Sequence, residues 1–391
     1  MNWKVISDNI KQEKRIAFLF IDEIHHLYHF VTVAKELAKT NKVHILTYNS
    51  PNPLLYKLLK DIKAENVIVE ELPTYTFRAL TDKLKKKKIP RKGFWIKKNT
   101  RYILNNFDAV VFTDFFHKYL LKDRKQNSPK LLKFPHGTAG RAYAFKNNEL
   151  DFDFQLLVGK FQYDQFKNMG LLGDFPVIAG YPKIDAVQQI PQQEFFTNNK
   201  PTVLYNPHFD PEFSSWKKDG LKVLEYFYAQ TEYNLIFAPH INLFKGNQNK
   251  NTITTIPEHL FAADNIHIDL GSEASANMTY TRAADIYLGD VSSQVYEFII
   301  EPRPCIFINS YDFEYKNDFS FRFWKCGPVI NKIEDLMNSL EEVQKDFKNY
   351  KKVQERISAE NFYNEEGSSP SERSAKAISA FLNGSLEMLE L

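Results

Sequence analysis

Residues 284–309, ADIYLGDVSSQVYEFIIEPRPCIFIN, decide the fold that we predict for this chain. The apolar run at 286–288 predicts a short buried strand, and the helical spacing of apolar residues over 294–300 predicts a helix. Two prolines end that helix, and the apolar run at 305–308 predicts the next strand. Strand, turn, helix and strand form the repeating unit of a parallel α/β domain.

The turn between the first of these strands and the helix contains Asp290, Ser292 and Ser293. Asp and Ser before a periodic apolar run are typical of a helix start. Free backbone N–H groups and the helix dipole attract anions at such a start, and neighbouring hydroxyls can bind phosphate oxygens. Serines at this position also serve as ordinary helix caps. The stretch therefore leaves a phosphate site and a simple cap as alternatives.

The composition is that of a globular protein with room for two domains. The chain has 391 residues, of which 43% are hydrophobic and 25% charged, and this length favours two separate cores. A net charge of +3 is too small to indicate nucleic acid binding. The two cysteines form no Cys-x-x-Cys pair, and we see neither an apolar leader nor a membrane-spanning run. We therefore expect a reduced, cytoplasmic protein without structural zinc.

The first half begins with a β-α-β pattern. Apolar runs at 15–21 and 42–47 predict strands on either side of a helix, as in a Rossmann-like domain. A Gly-x-Gly-x-x-Gly fingerprint for dinucleotides is absent from this segment. His25, His26 and His29 follow the first strand, where they are ligands, acceptor contacts or polar loop residues.

The segment Lys83–Lys98 is strongly basic. It holds nine Lys and Arg residues and the aromatic pair Phe94 and Trp95. A solvated surface explains this composition, and so does contact with an anionic membrane or a polyanionic acceptor. The aromatic pair favours a membrane interface. We expect no nucleic acid partner, because no nucleic-acid-binding motif accompanies the charge.

A second candidate for chemistry follows the predicted strand at 130–135. His136 precedes a glycine-rich turn that contains Gly137 and Gly140. The carboxyl end of a strand is where α/β folds place their chemistry, and glycines allow close backbone approach. Histidine is the side chain best suited to proton transfer near neutral pH. A buried histidine with a structural role is the alternative.

The pattern of strands and helices restarts in the second half. We predict a first domain at 1–187, a linker at 188–200 and a second domain at 201–391. The predicted final helix at 368–382 could pack back on the first domain. Two α/β halves of similar size suggest a twin-Rossmann enzyme with its site in the cleft between them.

Seven motifs occur in order over residues 130 to 380, and together they resemble the CDP-glycerol glycerophosphotransferase family, which includes teichoic acid polymerases and primases. They are PHGTAGR (135–141), GYPKID (180–185), TVLYNPHFD (202–210), FAPH (237–240), ADIYLGDVSSQVYEF (284–298), RPCIF (303–307) and SERSAKAI (371–378). The resemblance implies a GT-B fold and transfer of glycerol phosphate or ribitol phosphate from a CDP-alditol. The acceptor would be a hydroxyl of a cell-surface glycopolymer or of a lipid-linked molecule, and CMP would be released. Some family members are peripheral at the inner membrane face, which agrees with the basic segment.

The resemblance also implies roles for individual residues. His136 resembles the family's proposed base, and His240 resembles a second essential histidine near the donor phosphates. Ser292 and Ser293 would hold the diphosphate, and Glu297 would meet a ribose or alditol hydroxyl unless it only caps or pairs. The remaining substrate-binding candidates are Gly137, Thr138, Asn206, His208, Asp290 and Arg303, the last as a source of positive potential.

The sequence departs from the family pattern at three of these places. Thr138, Ala139 and Gly140 replace a usual Thr-Pro-Leu, and a usual Thr-Trp-Arg is Pro207-His208-Phe209 here. The acidic residue and tyrosine before the serine pair become Asp290 and Val291. These departures bear on the identity of the alditol and the acceptor rather than on phosphotransfer.

The chemistry needs a base, charge neutralisation and geometry. No acidic pair is placed for Mg²⁺ in the second half, so we expect neither a metal nor a cofactor. Two other functions remain open. One is a GT-B glycosyltransferase that uses a nucleotide sugar for surface polysaccharide, and the other is a non-catalytic polyanion-binding protein.

Overall fold

The computed structural model describes residues 3–5, 12–21, 23–50, 52–85, 89–137, 147–244 and 256–388. These residues form two compact units. Residues up to 137, 147–189 and 360–388 make the first unit, and the described part of Ile190–Ala359 makes the second. Each unit contains one parallel sheet. The predicted α/β class with two Rossmann-like domains is therefore confirmed.

The first unit is built on a seven-stranded sheet. The strands of this sheet are β2 (Arg15–Phe20), β3 (Lys42–Tyr48), β4 (Val67–Leu72), β5 (Ala109–Phe112), β6 (Lys130–Lys133), β7 (Phe154–Leu157) and β8 (Pro176–Ile178), and the unit also contains β1 (Trp3–Val5) and β15 (Leu386–Met388). The sheet has the parallel order β4-β3-β2-β5-β6-β7-β8. Its central strands are buried on both faces, as continuous apolar runs predict. β1 and β15 pair antiparallel as a separate ribbon, which our sequence analysis did not predict.

Helices follow most strands of the first unit. They are α1 (Val31–Leu37), α2 (Pro53–Asp61), α3 (Thr76–Leu84), α4 (Lys92–Asn106), α5 (Lys118–Leu121), α6 (Lys160–Asn168), α7 (Lys183–Gln188) and α14 (Pro370–Leu382). The segment Ile24–His29 is a 3-10 helix between β2 and α1. It holds all three histidines that follow the first strand, and it places them at the carboxyl edge of the sheet.

The chain's last helix, α14, packs against α1 and α7 of the first unit. Ser369 begins it with a capping box: its hydroxyl accepts the N–H of Glu372, and the Glu372 carboxylate accepts the N–H of Ser369. The backbone N–H of Ser371 donates to Asp185 on α7 at 2.7 Å. The SERSAKAI and GYPKID segments are thus neighbours that fasten the end of the chain to the first unit.

Gly180 in the GYPKID segment has a structural reason to be glycine. Its φ is 95°, and a Cβ added there would lie 2.5 Å from the carbonyl oxygen of Tyr363. The Arg373 guanidinium of α14 donates to the carbonyls of Ala179 and Tyr363 at 3.0 and 3.1 Å. This turn therefore joins β8 to the chain end that leads into α14, through a close backbone approach.

The second unit has a six-stranded parallel sheet. Its strands are β9 (Thr202–Asn206), β10 (Asn234–Phe237), β11 (Ile266–Ile268), β12 (Ile286–Gly289), β13 (Cys305–Ile308) and β14 (Val329–Ile330). The sheet order is β11-β10-β9-β12-β13-β14. Its helices are α8 (Leu221–Ala229), α9 (Glu258–Phe261), α10 (Thr279–Ala283), α11 (Gln294–Phe298), α12 (Leu336–Lys345) and α13 (Phe347–Asn361), the last of which runs into the first unit.

The stretch 284–309 folds as β12, α11 and β13, which confirms its predicted order of strand, helix and strand. The helix is shorter than the apolar pattern suggested, because it ends at Phe298 instead of residue 300. The division between the two units falls between Gln189 and Ile190, near the start of the predicted linker at 188–200. Residues 360–388 group with the first unit, although the predicted second domain ran to 391.

Candidate functional site

The first group of candidate residues surrounds His136, which follows β6. The neighbouring strand β5 is followed by Thr113, and the carboxyl ends of these parallel strands lie side by side. The exposed ring of His136 places Nδ1 at 2.7 Å from the carbonyl oxygen of Thr113. Since a carbonyl only accepts, Nδ1 must carry the hydrogen. In the neutral ring, Nε2 then holds the lone pair that a base requires.

Two more histidines lie beside His136. The rings of His26 and His136 stack with centroids 4.6 Å apart and an interplanar angle of 23°. The ring of His25 also contacts that of His26, with a centroid distance of 4.4 Å. Nδ1 of His26 is 2.8 Å from the hydroxyl oxygen of Thr113. His26, and through it His25, thus belong to the His136 group, whereas the ring of His29 contacts Tyr181.

Burial, hydrogen bonding and neighbouring charges set the charge states of His26 and Asp114. Burial, followed by the charge of His136, holds the pKa of His26 well below its usual range. Burial raises the pKa of Asp114. The N–H of Phe115, the Lys92 ammonium and His136 lower it by more, so the pKa lies well below its usual range. Near neutral pH, His26 is therefore uncharged and Asp114 is a carboxylate.

Sequence reasoning missed the buried lysine behind His136. Lys133, only 5% exposed, donates its ammonium to the carbonyls of Thr113 and Phe134 at 3.2 and 2.8 Å. It also lies over the ring of Phe115 at 4.7 Å. The Thr113 carbonyl thus accepts from both Lys133 and His136. A lysine at the end of an apolar strand was the available signal, because such a strand buries its side chains on both faces.

Gly137 and Thr138 complete the predicted glycine-rich turn. Gly137 has a φ of 158°, and a Cβ added there would meet nothing within 4 Å. Its backbone conformation, and not a close approach by another group, is what favours glycine at this position. Thr138 lies outside the described residues, as do Ala139, Gly140 and Arg141.

The second group lies at the carboxyl edge of the second unit's sheet. β10, β9 and β12 are adjacent strands, and they are followed by His240, His208 and Asp290. The rings of His208 and His240 are 5.6 Å apart, and Phe209 contacts them at 4.4 and 4.6 Å. Three residues from separate stretches of the sequence thus meet at one edge, as the parallel sheet predicts.

Both histidines of this second group accept backbone N–H groups at Nδ1. Asn242 N–H donates to His240 Nδ1 at 3.2 Å, and Asp210 N–H donates to His208 Nδ1 at 3.1 Å. An accepting Nδ1 has no hydrogen, so each ring is neutral and carries its hydrogen on Nε2. An Nε2–H group donates well to a phosphate oxygen. These rings are therefore suited to binding an anion.

Asp290 is fully buried and holds the loop that carries His208. Its carboxylate accepts the N–H groups of His208, Ser215 and Val291 at 2.9, 2.6 and 2.6 Å, and the Ser215 hydroxyl at 2.8 Å. Burial raises its pKa, although these hydrogen bonds act in the opposite direction. Since both oxygens bind the protein, Asp290 positions the loop. The geometry does not support direct contact with substrate.

Asn206 has a similar supporting place. Its side chain is completely buried, donates to the Ala238 carbonyl at 2.6 Å and accepts the Tyr287 hydroxyl at 3.2 Å. These contacts tie β9 to β10 and β12 just below the histidines. The predicted substrate contact of Asn206 is therefore not supported by the geometry.

The two serines of the deciding stretch have different surroundings. Ser293 is exposed at the N-cap position of α11, whereas Ser292 is completely buried. The Ser292 hydroxyl lies near that of Tyr287, but within the described residues it has no partner with hydrogen-bond geometry. α11 has only five residues, so its dipole is weaker than the predicted longer helix would give. Of the pair, Ser293 alone presents its side chain to solvent.

The surroundings of Glu297 and Arg303 do not favour a role in binding phosphate. Glu297 is buried on α11. The Arg303 guanidinium donates to the carbonyls of Ala284, Phe298 and Glu301 at 2.7, 2.8 and 3.3 Å and stacks on the Phe298 ring at 4.0 Å. The predicted use of Arg303 as positive potential for the donor is not supported, because backbone carbonyls hold its guanidinium in place.

A family model for CDP-Glycerol:Poly(glycerophosphate) glycerophosphotransferase matches residues 173–379. This match covers more than half of the chain. The chain belongs to this glycerophosphotransferase family. It is a CDP-glycerol glycerophosphotransferase-like enzyme. A search of curated proteins found no match.

Solved structures show the fold of this chain. S. aureus MnaA with UDP aligns with a TM-score of 0.62 at 13% identity, covering 95% of this chain and 97% of that one. The wall teichoic acid polymerase TagF with CDPG gives 0.58 at 14% identity, covering 95% and 88%. The calicheamicin glycosyltransferase CalG4 gives 0.55 at 12% identity, covering 95% and 99%. The chain therefore has the predicted GT-B fold.

The family match includes all the candidates of the second unit and leaves out His136. Among the described residues, the chain has no cluster of three or more His, Cys, Asp or Glu side chains with the arrangement of a metal site. In the same part of the chain, no helix is both long and apolar enough to span a bilayer. A cavity of about 890 Å³ lies between α6, β8 and α14 of the first unit, and none of the candidate residues lines it.

Proposed function

We propose that this enzyme transfers glycerol phosphate or ribitol phosphate from a CDP-alditol to an acceptor hydroxyl and releases CMP. The acceptor is a cell-envelope glycopolymer of the teichoic acid or capsule type, or its lipid-linked precursor. The observation that carries the proposal is the contrast between the histidines. His136 has its lone pair on Nε2, whereas His240 and His208 carry a hydrogen there.

The acceptor is activated by His136 in this mechanism. Nε2 removes the proton of the acceptor hydroxyl, and the acceptor oxygen forms a bond to the phosphorus next to the alditol. The bond from that phosphorus to the bridging oxygen breaks, and CMP leaves with its electron pair. The proton remains on His136 as an imidazolium. The Asp114 carboxylate interacts favourably with that charge.

The donor diphosphate is bound by the second unit. His240 and His208 donate Nε2–H hydrogen bonds to its oxygens, and the exposed Ser293 hydroxyl adds another. Asp290 and Asn206 keep this edge rigid through their buried bonds. Donors fixed in advance stabilise the charge that grows on the leaving phosphate without reorganising during the reaction.

Incubation of the purified protein with candidate donors tests the proposal. CDP-glycerol, CDP-ribitol and a panel of nucleotide sugars are each supplied with a glycopolymer acceptor, and the released nucleotide is measured. We expect CMP from a CDP-alditol and a much slower release of CMP with His136→Gln. Release of a nucleoside diphosphate from a nucleotide sugar would establish a glycosyltransferase instead. Polyanion binding without release of any nucleotide would establish a binding protein.

The basic segment is the basis for a second part of the proposal, a peripheral position at the inner face of the plasma membrane, in the cytoplasm. Trp95 is completely buried and donates to the Leu72 carbonyl, so the predicted aromatic contact with lipid is wrong for this residue. The exposed apolar residues lie on α3 instead. Phe77, Leu80 and Leu84 are 53%, 61% and 84% exposed and share one helix face by their spacing.

Lysines flank this apolar face of α3. Lys83 and Lys85 are exposed, and Lys86, Lys87 and Lys88 of the predicted basic segment lie outside the described residues. Apolar side chains beside cations are typical of helices that lie in an anionic membrane surface.

Sedimentation with anionic liposomes tests the membrane contact. Changing Phe77, Leu80 and Leu84 to Ser should reduce binding, whereas the matched change of the exposed residues Tyr228 and Phe261 in the second unit should not. Equal binding by both variants would remove this face from the proposal.

A further inference from the structure

Thr113 contacts two imidazoles at once. Its carbonyl accepts the Nδ1–H of His136 at 2.7 Å, and its hydroxyl oxygen lies 2.8 Å from Nδ1 of His26. The two rings stack on each other at 4.6 Å. One residue thus holds both members of the stack, one through its backbone and the other through its side chain.

The surroundings make this arrangement rigid. Thr113 and His26 are 2% and 4% exposed. Thr113 directly follows β5, and the N–H of Phe134 donates to the Phe112 carbonyl at 2.8 Å. The sheet ladder therefore fixes Thr113 relative to the β6 end, from which His136 extends. Lys133 binds the same carbonyl and limits its movement further.

The neutral state of His26 also suits a residue that supports His136. Burial keeps His26 neutral, and so do the charges of His136, Lys92 and Lys133, while Asp114 acts in the opposite direction. A neutral ring can pack on His136 after it becomes an imidazolium, whereas a second positive charge at this distance would oppose that state. His136 can therefore take up one additional proton without repulsion from a second charged ring.

We propose that His26 and Thr113 are positioning residues that hold His136 in the form with Nδ1 protonated and Nε2 available as the base. This inference rests on the base role given to His136 in the proposed function. Neither residue needs to touch a substrate. Their effect is on which nitrogen of His136 carries the hydrogen and on where its ring points.

Nuclear magnetic resonance of the full-length protein labelled with ¹⁵N-histidine tests the inference without any substrate. Long-range ¹H–¹⁵N spectra distinguish the two neutral tautomers, and the His136→Gln variant assigns the His136 signals. We expect a single Nδ1–H form in the wild type and in Thr113→Ser, which keeps the hydroxyl. Thr113→Val and His26→Phe should give a mixture of tautomers.

Turnover of the CDP-alditol gives the second measurement. Thr113→Val and His26→Phe should lower kcat by about tenfold, as expected for a slightly misplaced reacting group, and leave the donor KM nearly unchanged. Thr113→Ser should recover most of that loss.

Two results would overturn the inference. One is a wild-type His136 without the Nδ1–H form, and the other is a wild-type tautomer in folded Thr113→Val and His26→Phe. If Thr113→Val does not fold, the tautomer of His136 in folded His26→Phe still decides between these outcomes. If no CDP-alditol is turned over, the proposed function fails while the spectra still test the positioning.

Discussion

The histidines at the two sheet edges bind the backbone in opposite ways. In the first unit, His136 donates through Nδ1 to a carbonyl. In the second unit, His240 and His208 accept N–H groups at the same nitrogen. The distal nitrogen therefore accepts a proton in one unit and offers a hydrogen in the other. The backbone partner, more than the residue type, determines which chemistry a histidine can perform.

Replacement by Gln separates a base from a hydrogen-bond donor and gives the largest expected effect. Gln cannot take a proton near neutral pH, so His136→Gln should lower kcat by about 10²- to 10⁴-fold. Donor affinity should stay near that of the wild type. Turnover and calorimetric CMP binding are measured in parallel.

An exposed histidine of the second unit provides the control for this change. His259→Gln alters a residue that contacts only Glu225 and Tyr228 among the interactions described, and it should change neither quantity. If His136→Gln loses donor binding and keeps its kcat at saturation, the comparison is reversed and His136 belongs to the donor site.

His240 should respond to Gln differently from His136. The Gln amide can place an N–H near the position of Nε2, whereas the shorter Asn cannot. His240→Asn should weaken CMP or CDP-alditol binding by about 1–3 kcal/mol, the usual value of a hydrogen bond to a charged group. His240→Gln should recover part of that loss. Equal binding by both variants would show that Nε2–H does not contact the donor.

The serine pair sharpens the comparison within the second unit. Ser293→Ala removes an exposed hydroxyl at the start of α11 and should weaken nucleotide binding by about 1–2 kcal/mol. Ser292→Ala removes a buried hydroxyl without a hydrogen-bond partner in the described structure, so it should change neither binding nor stability by much. Calorimetric titration of CMP into both variants checks this difference. A larger loss in Ser292→Ala would require Ser292 to turn towards the ligand.

The sequence was sufficient to locate the main histidines but not their environments. His136, His208 and His240 each follow an apolar run, and strand ends are readable from such runs. The roles of Thr113 and Lys133 depend on the register between β5 and β6, which no local pattern contains. The motif residues Asp290 and Arg303 were assigned to substrate because a motif does not show how many protein partners a side chain has.

The exposure of large apolar residues was equally hard to predict from the sequence. Trp95 stands in a basic segment and therefore suggested an exposed interface, but the tertiary fold buries it against β4. Phe77, Leu80 and Leu84 follow helical spacing, which occurs equally on a core-facing helix. Only the packing of α3 decides which of its faces is covered.

The smallest expected effect is on the pH dependence of stability. It concerns a histidine whose Nδ1 binds neither a backbone carbonyl nor a backbone N–H group in the described residues. His29 is 3% exposed, and its Nδ1 has no hydrogen-bond partner in the described residues. Burial, followed by the charges of Lys183, His26, His136 and His25, holds its pKa well below the usual range. In the unfolded chain, a histidine takes up a proton near pH 6.5.

The sign of the pH effect follows from these two states. Below about pH 6.5 the unfolded chain binds a proton that folded His29 does not, so the free energy of unfolding falls as the pH decreases. One pH unit corresponds to at most about 1.4 kcal/mol for a single group. His29→Phe should therefore lose about 1 kcal/mol less than the wild type between pH 7.5 and 5.5, as measured by urea unfolding. Each variant is compared with itself at the two pH values, so any packing defect cancels, and His259→Phe supplies an exposed control. An unchanged pH dependence in His29→Phe would mean that folded His29 accepts its proton as readily as the unfolded chain does.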